Sequence, residues 1–102
     1  MNQDEARARL GEYRVCIDEI DRRIVALINE RTRVVEEIGR VKREAQLPVY
    51  EPKREEQVFA NITAANQGPI TPEAVRRIFE RIIDEMRSIQ RLKIVASEDP
   101  RC

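Results

Sequence analysis

Arg31 and Lys42 fall on, or at the edge of, a run of apolar residues with helical spacing. The run reads Leu10, Tyr13, Ile17, Ile20, Ile24, Leu27/Ile28, Arg31, Val34/Val35, Ile38 and Val41/Lys42. A repeat of three or four lays these side chains along one face of an α-helix. An inward cation leaves a buried charge, which is costly unless an anion meets it. Positions 31 and 42 are close to three helical turns apart, so both cations point the same way along roughly 16 Å of helix. Arg14, Arg54, Glu55 and Gln90 also lie on or near apolar faces. Singly, each has a plain structural explanation. Arg14 and Lys42 can run along apolar surface and reach water with their tips, Arg54 can be surface, and Gln90 can cap a buried carbonyl. Together, an inward Arg, Lys and Gln need shared anionic or polar company.

Such a set binds a small di-anion and stabilises negative charge developing on an oxygen. It is poorly supplied for other chemistry. The sequence has no His, so the commonest general base and metal ligand are missing. Cys16 and Cys102 are the only thiols and lack metal or redox spacing. Cys16 reads as a small apolar helix residue and Cys102 as a loose terminus. No metal and no cofactor is expected. The residues suit a reaction in which the substrate makes and breaks its own bonds while the protein fixes its conformation and solvates the transition state.

At 102 residues the chain is expected to be one domain, residues 1–102. Lys plus Arg and Asp plus Glu both number 19, so no global field attracts nucleic acid or an anionic membrane. The start, MNQDEARARL, lacks the apolar core of a signal peptide, and no stretch approaches a membrane span. A cytoplasmic protein is expected.

With three Gly and five Pro the chain reads as all-α, with three helices. Helix one is expected over about 4–45, stopped by Pro48. Gly39 within it either lets another backbone approach or is a weak spot. Val49-Tyr50-Glu51 reads as extended or turn. Helix two is expected over about 52–65, with Val58, Phe59, Ile62 and Ala65 on one side, and Asn66-Gln67-Gly68-Pro69 as its stop. Thr71-Pro72-Glu73 is a start signal for helix three, over about 72–93, with the stripe Val75, Ile78/Phe79, Ile82/Ile83, Met86 and Ile89/Gln90. A tail, 94–102, is expected to be flexible. About 40 residues of helix span roughly 60 Å, whereas a compact domain of this size has a radius of gyration of about 13 Å. Two shorter helices cannot cover that stripe, so an intertwined helical homodimer is expected. The alternative is a helix broken near Asn29 or Gly39 in a monomeric bundle.

Arg14-x-x-Ile17-Asp18-x-Ile20-Asp21, Leu27-Ile28-x-x-Arg31 and Ile38-Gly39-x-x-Lys42 resemble the first helix of the all-helical class of chorismate mutase. Pro48-Val49-x-x-x-x-Arg54-Glu55 and Ile82-Ile83 through Gln90 continue the pattern, over about residues 7–93. The resemblance implies a monofunctional mutase that rearranges chorismate to prephenate, on the route to phenylalanine and tyrosine, in two equivalent sites of a dimer. It implies that Arg14, from the partner subunit, and Arg31 hold carboxylates. Lys42 would bond a carboxylate and the ether oxygen, Gln90 would donate to the same oxygen, and Arg54 would add to a positive wall. Glu55 would accept the ring hydroxyl, helped by the main chain of Glu51, which stands where the family often has Asp. A neutral amide at Gln90 implies activity without a low-pH optimum. Met86 departs from members with Ser there and cannot donate comparably, which puts one carboxylate contact in doubt.

Two other readings stand beside it. A relative of the same fold, isochorismate–pyruvate lyase, shares the cations, but tends to have an apolar residue at the position of Glu55. A non-catalytic helical module that regulates a partner enzyme is the reading from another class. Mutase domains occur fused to or complexed with pathway enzymes, so a pathway-enzyme partner is left open; the chain ends soon after helix three and is expected to carry no fused enzyme.

Overall fold

Asn2 begins the first helix with a reciprocal cap. Its Oδ1 accepts the Glu5 backbone N–H at 2.8 Å, and its Nδ2 donates to Glu5 Oε1 at 3.1 Å, so the first turn has partners for groups that a helix end leaves unmet. The computed structural model describes residues 1–96, with side chains described through residue 92. Its elements are α1 (Gln3–Glu44), α2 (Pro52–Ala65) and α3 (Pro72–Ala96), with no strand among the described residues. α3 thus runs past the expected end near 93; the rest of the expected tail, 97–102, lies outside the described residues.

The chain divides into two compact units. The first, Met1–Arg33, is α1 alone up to that point. None of its residues is buried. Leu10, Tyr13, Ile17, Ile20, Ile24 and Leu27 all stay exposed along their stripe. Cys16, expected to pack, is exposed as well.

The second unit begins at Val34 and holds the end of α1 with α2 and α3. The stop of α1 is sharper than Pro48 alone predicts. Gln46 adopts φ +58°, while Leu47 N–H bonds Lys42 C=O at 2.7 Å and Gln46 N–H bonds Arg43 C=O at 3.2 Å. That pair of bonds is a Schellman motif, in which a left-handed residue satisfies the last helical carbonyls. Pro52 opens α2 at its first turn, where its missing N–H is no loss. At the far end Asn66 accepts the Gly68 N–H at 2.9 Å and donates to Ile70 C=O at 2.9 Å, and Gly68 takes φ +75°, a region glycine enters without penalty. Thr71 Oγ1 then accepts the Ala74 N–H at 3.2 Å and caps α3. α2 and α3 pack on one another, with Val58, Phe59 and Ile62 of α2 half-buried. Val35, Ile83 and Met86 are the buried apolar side chains among the described residues. Three such residues make a thin core.

Candidate active site

Lys42 stands in the last turn of α1, and the Schellman turn below it decides what it meets. The chain reverses there and brings the Val49 carbonyl to 2.9 Å from Lys42 Nζ. Nζ also donates to Gln90 Oε1 at 3.1 Å and pairs with Glu51 Oε1 at 2.8 Å. Lys42 is 7% exposed and Gln90 9%, so the buried cation has the polar company that burial demands. Lysine can only donate, so the oxygen of the Gln90 amide faces it, which leaves the amide's two N–H groups as donors.

Two local features make this meeting fit. Gly39, one turn before Lys42, has the Gln90 backbone against it: a Cβ at Gly39 would lie 3.7 Å from Gln90 Cα and 3.5 Å from its Cγ. The Gln90 backbone does lie beside Gly39, at distances where a Cβ would make ordinary van der Waals contact, so the two readings of Gly39 both stand. Glu51 occupies the N-cap of α2 but makes no side-chain capping bond, because its carboxylate is on Lys42.

One turn further along α2, Glu55 meets a residue the sequence reading did not single out. Arg87 Nη2 donates to both Glu55 oxygens, at 2.8 and 2.7 Å. The same guanidinium reaches Asp84 Oδ1 at 3.4 Å from Nη1 and lies 5.1 Å from the centroid of the Tyr50 ring. Its Nε is buried without an acceptor among the described residues. The Glu55 hydrogen bonds, more than any other cause, hold the Arg87 pKa above its ordinary value, against burial, which lowers it. The guanidinium therefore stays charged. A signal for Arg87 was available, since it lies four residues after Ile83 and three before Gln90, on the edge of the face that α3 buries.

The other expected site residues are distributed as follows. Met86 is buried, 4% exposed, on the same face of α3 as Gln90. Arg54 is exposed in the first turn of α2 and bonds Gln57 Oε1 at 3.4 Å. Arg14, exposed, and Arg31, half-buried, belong to the first unit. The second unit therefore joins Lys42, Glu51 and Gln90 in one cluster and Glu55 with Arg87 in a second. A cleft of about 270 Å³ adjoins the second cluster, lined by Glu55, Phe59, Glu80, Ile83, Asp84 and Arg87. A buried ammonium beside an amide donor stabilises negative charge on an oxygen placed between them. No group of three or more His, Cys, Asp or Glu among the described residues is placed to hold a metal, and no helix of the described residues is long and apolar enough to cross a membrane.

Comparison with known proteins leads to one family. The bifunctional chorismate mutase/prephenate dehydratase of Aquifex aeolicus is 35% identical over 96 residues, covering 90% of this chain and 26% of its own length. This chain spans about a quarter of that relative and of its Pseudomonas aeruginosa counterpart, where the match covers 27%. The chorismate mutase of Methanocaldococcus jannaschii is 29% identical over 84 residues, covering 81% of this chain and 85% of its own. Among solved structures, a chorismate mutase of Thermus thermophilus (form II) superposes with a TM-score of 0.79 at 40% identity, over 81% of this chain and 94% of that one. Residues 13–91, well over half of the sequence, match the family model of chorismate mutase type II, and the chain belongs to that family.

Proposed function

We propose that this chain is an isomerase that rearranges chorismate to prephenate, acting in the cytoplasm as a homodimer. The observation that carries the reading is the buried Lys42–Gln90 pair, 3.1 Å apart, which sets an ammonium beside an amide whose free groups are donors. In the rearrangement the substrate's own C–O bond breaks while a C–C bond forms, with no proton or electron supplied from outside. Negative charge grows on the ether oxygen as the C–O bond lengthens. Two donors aimed at that oxygen favour the transition state over the ground state, which is what raises a rate. Arg31, and Arg14 from a second copy, take the two carboxylates and select the folded conformer. Glu55 accepts the ring hydroxyl, helped by the Glu51 main chain; Arg54 adds positive potential and Met86 closes the apolar side. The stripe of exposed apolar residues on Met1–Arg33 supports a second copy as its cover.

Loss of chorismate absorbance with purified protein tests this, with prephenate confirmed by acid conversion to phenylpyruvate. Lys42→Ala and Arg31→Ala are each expected to lower kcat/KM by about 100-fold or more while the proteins stay folded. Full activity in Lys42→Ala would overturn the role of the pair. Wild-type protein that leaves chorismate untouched but releases pyruvate from isochorismate would assign it to the lyase.

A further inference from the structure

We infer that Arg87 is a positioning residue: it holds the Glu55 carboxylate in one place toward the substrate's ring hydroxyl and so makes the site selective for a ring that carries one. The inference rests on the mutase reading above. A carboxylate on a flexible glutamate can turn about its last bond. Here a single nitrogen, Arg87 Nη2, bonds both oxygens, at 2.8 and 2.7 Å, which leaves that rotation open but holds the carboxylate end in one place, against Arg87. Those bonds use two of about four lone-pair sites and leave the others to accept a hydroxyl.

The guanidinium is itself held. Asp84 takes Nη1, and the Tyr50 ring lies under the carbon at 5.1 Å. Nε is buried with no acceptor among the described residues, an unfavourable state that persists because Glu55, Asp84 and Tyr50 over-determine the group. Charge argues the same way. The substrate is a di-anion, and a bare carboxylate facing it would repel it. Arg87 and Glu55 are each about three-quarters buried, at 23% and 24% side-chain exposure, so this neutralisation is screened less than a surface pair would be.

Register places the pair where it is useful. Glu55 is four residues after Glu51 on α2, and Arg87 is three before Gln90 on α3. On both helices the Glu55–Arg87 pair is thus about one turn, roughly 5.4 Å, from the Lys42 cluster. A separation of one helical turn is within the span of a ring-sized substrate.

The experiment compares chorismate with an analogue carrying hydrogen in place of the ring hydroxyl, using wild type, Arg87→Met and Arg87→Lys. With chorismate, Arg87→Met is expected to lose about tenfold or more in kcat/KM, and Arg87→Lys to recover part of it. With the analogue, the same substitutions should change kcat/KM by less than about twofold, because there is no hydroxyl to orient. Equal losses on both substrates would make Arg87 merely structural and overturn the inference while leaving the mutase reading intact. Unchanged turnover of chorismate in both variants would overturn it too. A wild type inactive on chorismate would overturn the mutase reading and this inference together. Should Arg87→Met fail to fold, Arg87→Lys alone carries the comparison, with a loss confined to the hydroxylated substrate as the supporting result.

Discussion

A lysine with all three protons engaged has none to spare for a substrate oxygen. Lys42 donates to Val49 C=O and Gln90 Oε1 and pairs with Glu51 Oε1, so a bound anion must displace one acceptor. The carbonyl belongs to the main chain, and the Gln90 oxygen is buried, 9% exposed as a residue. The Glu51 carboxylate is 51% exposed and can return to water cheaply. It is the acceptor expected to yield. Glu51→Gln keeps the main chain and removes the competing charge, so KM for chorismate is expected to fall by a few-fold, with kcat little changed. A raised KM would mean that the carboxylate itself assists binding. Lys42 and Gln90 were legible in the sequence because a polar residue on an apolar stripe announces itself. The Glu51 side chain was not, since nothing in residue type says that an N-cap position will forgo its own helix for a lysine. Arg87 followed the same stripe logic as Lys42, but among many arginines on a charged helix the periodic argument discriminates weakly.

At the level of the elements, punctuation residues carried most of the legible information. Thr71 before Pro72 caps α3 with a real bond, and the Asn66–Gly68 turn ends α2. The Schellman stop at Gln46 was hidden because the residue there is not glycine, and left-handed backbone has no other strong sequence mark. The Asn2–Glu5 cap was missed for a different reason. Its pattern is short and precedes no apolar run, so it does not stand out from the polar N-terminus. Gln46 at φ +58° carries a steric penalty that glycine lacks, offset in part by glycine's freer unfolded chain. Gln46→Gly is expected to stabilise the fold by about 0.5 kcal/mol, a Tm rise of about 3 °C for a domain of this size. Thermal melts followed by circular dichroism would read it. Turnover should stay at the wild-type level, because glycine adopts the same left-handed backbone and keeps the turn that brings Val49 to Lys42. A lower Tm would show that the Gln46 side chain contributes something the backbone argument omits.

For the whole molecule, the question is what the first unit packs against. Met1–Arg33 buries none of its residues, although Leu10, Ile17, Ile20, Ile24 and Leu27 are each 41–63% exposed. Within proteins, helices get most of their stability from packing an apolar face rather than from intrinsic propensity. Full burial of one such side chain contributes about 1.5–3 kcal/mol, so covering the half-exposed stripe is comparable to the net stability of a typical domain, about 5–15 kcal/mol. The thin core of Val35, Ile83 and Met86 cannot supply the difference. Association is therefore expected to be part of folding, with a Tm that rises with protein concentration. Ile24→Glu sets a charge in the middle of the stripe, far in sequence from Lys42 and Gln90. It is expected to shift sedimentation from dimer toward monomer, to lower helicity, and to abolish turnover through loss of Arg14 from the second copy. Mixing Ile24→Glu with Lys42→Ala separates these causes, since the two lesions complement only if they can share a dimer with one intact site. A monomer with a concentration-independent Tm and full turnover would mean that the apolar face of the first unit is covered within a single chain.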